Sequence, residues 1–264
     1  MSVSDQNTST ESETGDIDSN KRLWGPWATT GFGCGIWVVI IIAQIILVIA
    51  YTAAKAIANQ PTDVAAFVDG LLEDGLLMGF SGVVTAVIGL ALVAIVIKLR
   101  KSYSIKEYLG FRPISRKTIL TILPIAGGFF LILYLMSFIP GRTENDLIVE
   151  SYKTSVWPAL FWINAVILAP VLEEIFFRGF IFVSFRRSKL KVAGTIVITS
   201  SIWTLLHIGQ YDIYDLFSVF IFGLVLGMLR QKTDSLWSPV IVHSVYNLIV
   251  MILVFLVVNN IISG

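Results

Sequence analysis

Seven apolar runs, each close to the length needed to cross a bilayer, constrain this chain more than any other feature. They extend approximately over 36–58, 76–97, 119–139, 156–182, 192–208, 213–229 and 236–258. A hydrocarbon core takes about 20 helical residues to cross, and inside it each backbone amide must find its partner within the same helix. The pattern predicts an all-α, polytopic transmembrane helical bundle of about 7–8 spans. The fifth and sixth runs are short, and the connection GQYDIYD between them leaves little room for a loop. Composition agrees: 56% of the 264 residues are hydrophobic and 14% charged, with a mean hydropathy of +0.82. A soluble domain carries about a quarter of its residues as charges.

Loop charge orients the runs, because cytoplasmic loops hold an excess of Lys and Arg. Lys21 and Arg22 precede the first run. Lys98, Arg100, Lys101, Lys106, Arg112, Arg116 and Lys117 follow the second, Arg186, Arg187, Lys189 and Lys191 the fourth, and Arg230 and Lys232 the sixth. The intervening connections hold Asp63, Asp69, Glu73 and Asp74, then Glu144 to Glu150, then Asp212 and Asp215. The alternation predicts a multi-pass protein of the cell membrane with its N-terminus in the cytoplasm. Three regions are expected: a disordered polar tail over 1–30, N-terminal transmembrane helices over 31–150, and a transmembrane domain over 151–264 that carries the chemistry. The tail is too hydrophilic to pack and lacks the charge order of a signal peptide. The segment SYSIKEYLGFRPIS reads equally as a short interfacial helix or a plain loop. With a net charge of +1 and no basic, aromatic-interleaved patch, nucleic acid is not an expected partner. One cysteine, Cys34, makes neither a disulfide nor a cysteine-rich zinc cluster.

The fourth run contains APVLEEIFFRGFIF, which places Glu173, Glu174 and Arg178 at membrane depth. Ionisable groups there cost several kcal/mol and mark interior sites by default. Residues four apart share a helix face, so Glu174 can pair with Arg178 while Glu173 points about 100° away. Both histidines of the chain also lie in apolar runs: His207 ends the fifth, and His243 opens the seventh with Asn247 one turn later on the same face. Counted from the basic loops at about 1.5 Å per residue, Glu173 and His207 lie roughly 20 and 24 Å deep. His243 and Asn247 lie roughly 14 and 20 Å deep on the same scale. Three helices can therefore bring a carboxylate, two imidazoles and a carboxamide to one cavity.

This set suits water activation. Glu173 would take and return a proton, His207 would position the water, and His243 with Asn247 would donate to an oxyanion. Glu173, His207 and His243 are equally a ligand set for a divalent metal such as zinc, with water as an open ligand. The residues alone do not separate the two. A proton-relay transporter would use the same polar groups, but neither an inverted repeat nor paired broken helices is visible.

The motifs EEIFFR, WTLLH and HSVYN, in this order on three apolar runs, resemble the EExxxR, FxxxH and HxxxN motifs of the CAAX protease and bacteriocin-processing family. This family is also called Abi or type II CAAX prenyl endopeptidase, and its members are intramembrane proteases. The resemblance covers roughly 156–258 and departs at Trp203, where the family has Phe, a change expected to affect packing only. It implies Glu173 and His207 as the water-activating pair, His243 and Asn247 as the oxyanion site, and Glu174 and Arg178 as support. It implies a membrane-associated peptide or protein substrate, prenylated or bacteriocin-like, or alternatively a non-catalytic immunity or scaffold role. The family is described as metalloproteases, with a metal-free glutamate mechanism also proposed.

Overall fold

The computed structural model describes residues 23–136 and 147–261. Most of the expected polar tail and the acidic segment around Glu144 lie outside the described residues. Among those described the architecture is all-α, with a single isolated bridge between Ile208 and Tyr211 in place of any strand. The helices are α1 (Pro26–Asn59), α2 (Val64–Leu72), α3 (Gly75–Lys98), α4 (Ile105–Leu109), α5 (Arg116–Met136) and α6 (Leu147–Lys153). A continuous helical path over 158–185 follows. It consists of α7 (Pro158–Ile163), a π segment Asn164–Leu168, α8 (Ala169–Glu174), a second π segment Ile175–Ile181 and α9 (Phe182–Phe185). The chain then closes with α10 (Lys191–Leu205), α11 (Ile213–Thr233) and α12 (Trp237–Val258).

Among the described residues four helices, α1, α3, α11 and α12, are by themselves long and apolar enough to cross a membrane. The other apolar runs appear as α5, the π-interrupted path and α10, which has only 15 residues. The first helix, α1, begins at Pro26. Proline is favoured in the first turn because its missing N–H has no helical partner there. Trp24 anchors the entry: its indole N–H donates to the Val96 carbonyl at 3.0 Å, and the Arg100 guanidinium lies 4.1 Å from its ring.

The acidic residues read as loop markers also start helices. Asp74 accepts from the amides of Leu76 and Leu77, and Asp212 from that of Asp215, each satisfying donors that a helix N-terminus leaves open. SYSIKEYLGFRPIS forms a short helix, α4, whose Ser104 and Glu107 make a reciprocal capping box. It ends on Gly110 at φ 75°, a left-handed conformation glycine adopts without steric cost. Rather than lying flat on a bilayer, α4 turns Tyr108 and Leu109 inward, and Tyr108 stacks on Phe180.

The π-interrupted path runs through the centre of the bundle, and its second π segment is buried throughout. Pro170 has no N–H to give the ladder, and the first π segment ends just before it. Around the path pack the pairs α1–α3, α10–α11 and α5–α12. The α10–α11 contact is close: a Cβ at Gly223 would stand 3.0 Å from Ser200 and 3.1 Å from the Trp203 ring. Small residues permit such backbone approach between membrane helices.

Candidate active site

Glu173 and Glu174, adjacent in sequence, meet different surroundings. The Glu174 side chain is fully buried, and its Oε1 accepts from Arg178 Nη1 at 3.0 Å, the pairing that i,i+4 spacing predicts. The same oxygen stands 3.0 Å from His243 Nδ1 on α12. Arg178 is also fully buried. Its Nη2 donates to the Gly223 carbonyl on α11 at 3.0 Å, and its guanidinium lies 4.9 Å from the Trp203 ring centroid. One buried ion pair thus ties the central path to α10, α11 and α12.

Glu173 is 24% exposed and lines a cavity of about 270 Å³ between the central path, α1 and α3, with Asn164 and Thr85 among the polar residues of its wall. Its Oε2 accepts from Trp203 Nε1 at 2.6 Å and stands 4.0 Å from His243 Nε2. That separation is too long for a direct hydrogen bond and short enough for both atoms to touch one water. Because His243 Nδ1 faces a carboxylate, the proton of the neutral ring belongs on Nδ1, which leaves Nε2 as an acceptor toward Glu173.

His207 lies past the last turn of α10. Its Nδ1 is 2.8 Å from the Trp203 carbonyl, so Nδ1–H donates there and Nε2 is the acceptor of the neutral ring. The ring packs edge-on to Trp203 at 5.0 Å and stacks on Tyr211 at 5.7 Å. Burial first, and then the negative charges of Glu173 and Asp215, push the Tyr211 phenol up to about 12. Asn247 reaches the central path rather than Glu173: its Nδ2 donates to the Ala165 carbonyl at 2.8 Å, inside the first π segment.

Two features were not anticipated from sequence. Trp203 is more than a packing substitute for Phe, since its indole supplies a donor that phenylalanine lacks and places it on Glu173. His243 pairs with Glu174, which joins the support pair and the candidate catalytic set into one network. Tryptophan's N–H was the available signal for the first, whereas nothing local marked the second.

The residues do not form a three-ligand zinc centre. No group of three His, Cys, Asp or Glu side chains is close enough to hold a metal among the described residues. The 4.0 Å between Glu173 and His243 is wider than the edge of a zinc tetrahedron with bonds of about 2.0–2.2 Å.

Long apolar helices around a buried carboxylate–histidine network define a polytopic membrane protein with a polar interior site. Residues 155–249 match the model of the family described as Type II CAAX prenyl endopeptidase Rce1-like. An uncharacterized protein of Mycoplasma capricolum subsp. capricolum is 28% identical over 124 residues. The match takes in 43% of this chain and 35% of that relative, so the two correspond over only part of their lengths. No solved structure matches the chain.

Proposed function

We propose that this protein is an intramembrane endopeptidase that hydrolyses a peptide bond of a membrane-associated protein or peptide with water activated by Glu173. In this reading a water between Glu173 Oε2 and His243 Nε2 gives its proton to Glu173 as its oxygen attacks the scissile carbonyl. The C–N bond then breaks as the same proton passes to the leaving amine. His207 positions the water through its free Nε2. His243 holds the water through its accepting Nε2, and the second N–H of Asn247 donates to the oxyanion. Glu174 and Arg178 hold the ring of His243 and its tautomer.

The single observation that carries this reading is the contrast within the glutamate pair. Glu174 is sealed against Arg178 and His243, while Glu173 lines a cavity and holds its Oε2 4.0 Å from His243 Nε2. A purified preparation should cleave a membrane-anchored peptide, prenylated at a Cys-a-a-X end or bacteriocin-like, and Glu173→Gln and His243→Ala should not. Equal cleavage by wild type and both variants would falsify it.

A second reading, a non-catalytic immunity or scaffold protein, is favoured by two other contacts. Trp203 occupies Glu173 Oε2, and Asn247 is engaged by Ala165. It predicts that folded Glu173→Gln keeps the cellular phenotype of the wild type.

A further inference from the structure

At the basic end of the bundle a second cavity, of about 630 Å³, lies among α4, α9 and α11. Lys106, Arg112, Arg186, Arg187 and Arg230 line it. Only two carboxylates, Glu107 and Asp234, face these five cations. Both are engaged: Glu107 caps Ser104 at 2.9 Å, and Asp234 accepts from Arg112, from Arg186 at 3.5 Å and from Arg230 at 3.4 Å. The lining therefore keeps an excess of three positive charges.

The floor of the cavity is fixed. Arg230 is 1% exposed, with Nε donating to the Arg178 carbonyl at 3.1 Å and Nη2 to the Leu109 carbonyl at 3.3 Å. The rim is not: Lys106 and Arg187 are exposed, and among the described residues neither has an ion-pair partner. Three positive charges in excess around one hollow leave a repulsion that a bound anion would offset. The hollow is of a size that takes a small-molecule group. It opens where α9 and α11 end, beside the basic connections of the bundle. Basic pockets between membrane helices recognise anionic headgroups.

We propose that this cavity binds a phosphate group, with Arg230 as its buried base and Lys106 and Arg187 as its closing cations. An anionic glycerophospholipid and soluble phosphate are the two sources this chemistry admits.

The full-length protein in neutral detergent, titrated separately with phosphatidylglycerol, phosphatidylcholine and inorganic phosphate, tests this by native mass spectrometry and thermal shift. Phosphatidylglycerol should bind in preference to phosphatidylcholine. The double variant Lys106→Gln, Arg187→Gln should lower that affinity roughly ten- to thirtyfold, from about fivefold per charge removed. Arg187→Gln alone should give about fivefold, which keeps the test open if the double variant fails to fold. The pair Lys98→Gln, Lys101→Gln, at the same end but outside the cavity, should change affinity less than about twofold. Saturable binding of inorganic phosphate, lost in the double variant and without preference between the lipids, would support the site with soluble phosphate as its source. Equal binding of both lipids with no phosphate binding would overturn the proposal, as would equal losses in the two double variants, which would indicate diffuse surface charge.

Discussion

His243 Nδ1 and Arg178 Nη1 meet on one oxygen, Glu174 Oε1, each at 3.0 Å. Since Glu174 and Arg178 are both fully buried, removing either charge leaves the other uncompensated. Glu174→Ala is expected to destabilise the protein by about 3–5 kcal/mol. Glu173→Gln, at a carboxylate that opens on a cavity, should leave stability within about 1 kcal/mol. The same Glu173→Gln change should lower cleavage about 10²- to 10⁴-fold. Denaturation in detergent beside peptide cleavage separates the two glutamates. Equal loss of stability in both variants would contradict the division of roles.

Trp203 touches Glu173 through its indole N–H and carries Arg178, His207 and His243 around its ring. Trp203→Phe keeps an aromatic ring and loses the donor, so it should cost about 1–2 kcal/mol and leave the protein folded. Trp203→Ala also empties the centre of the network and should cost about 3–5 kcal/mol. A melting series across the three proteins checks the order.

At the opposite end of the bundle, Asp74 takes hydrogen bonds from Lys55, the Leu77 amide and Tyr51. Burial by itself would raise its carboxyl, but these donors together outweigh burial and hold it below its ordinary value. A depressed carboxyl contributes stability that is present above the unfolded value of about 3.9 and is lost as pH falls through the lower folded value. The melting temperature should therefore drop below about pH 4. Asp74→Asn should be less stable at neutral pH and show a flatter acid limb.

Gly75 opens α3 against α6. A Cβ there would collide with the Ser151 carbonyl oxygen and stand 2.9 Å from the Ser155 Cα, both backbone atoms that cannot rotate away. Gly75→Ala should thus destabilise by about 1–3 kcal/mol, despite alanine's higher helix propensity. A Gly75→Ala protein as stable as wild type would show that α6 can shift.

Chelation discriminates the two water-activation chemistries. With Glu173 and His243 separated by more than a zinc tetrahedron spans, cleavage is expected to persist after dialysis against a chelator. Loss of cleavage on chelation, restored by zinc, would require the site to rearrange around a metal.

Much of this molecule is legible in one dimension because the bilayer simplifies the problem. Long apolar runs must become helices, i,i+4 spacing joins Glu174 to Arg178, and the order of EEIFFR, WTLLH and HSVYN points to the family that the match over residues 155–249 bears out. These depend on helix geometry and on solvent, both local. The tertiary structure decided what depends on how separate helices turn toward each other. It placed the Trp203 indole on Glu173, His243 on Glu174 and Asn247 on Ala165, and it gathered arginines from two loops and from α11 around one cavity. No periodicity encodes those contacts, because they are set by the rotation of α10, α11 and α12 about a central path that two π segments widen. A single residue's offset in those segments would swing each side chain by about 100°.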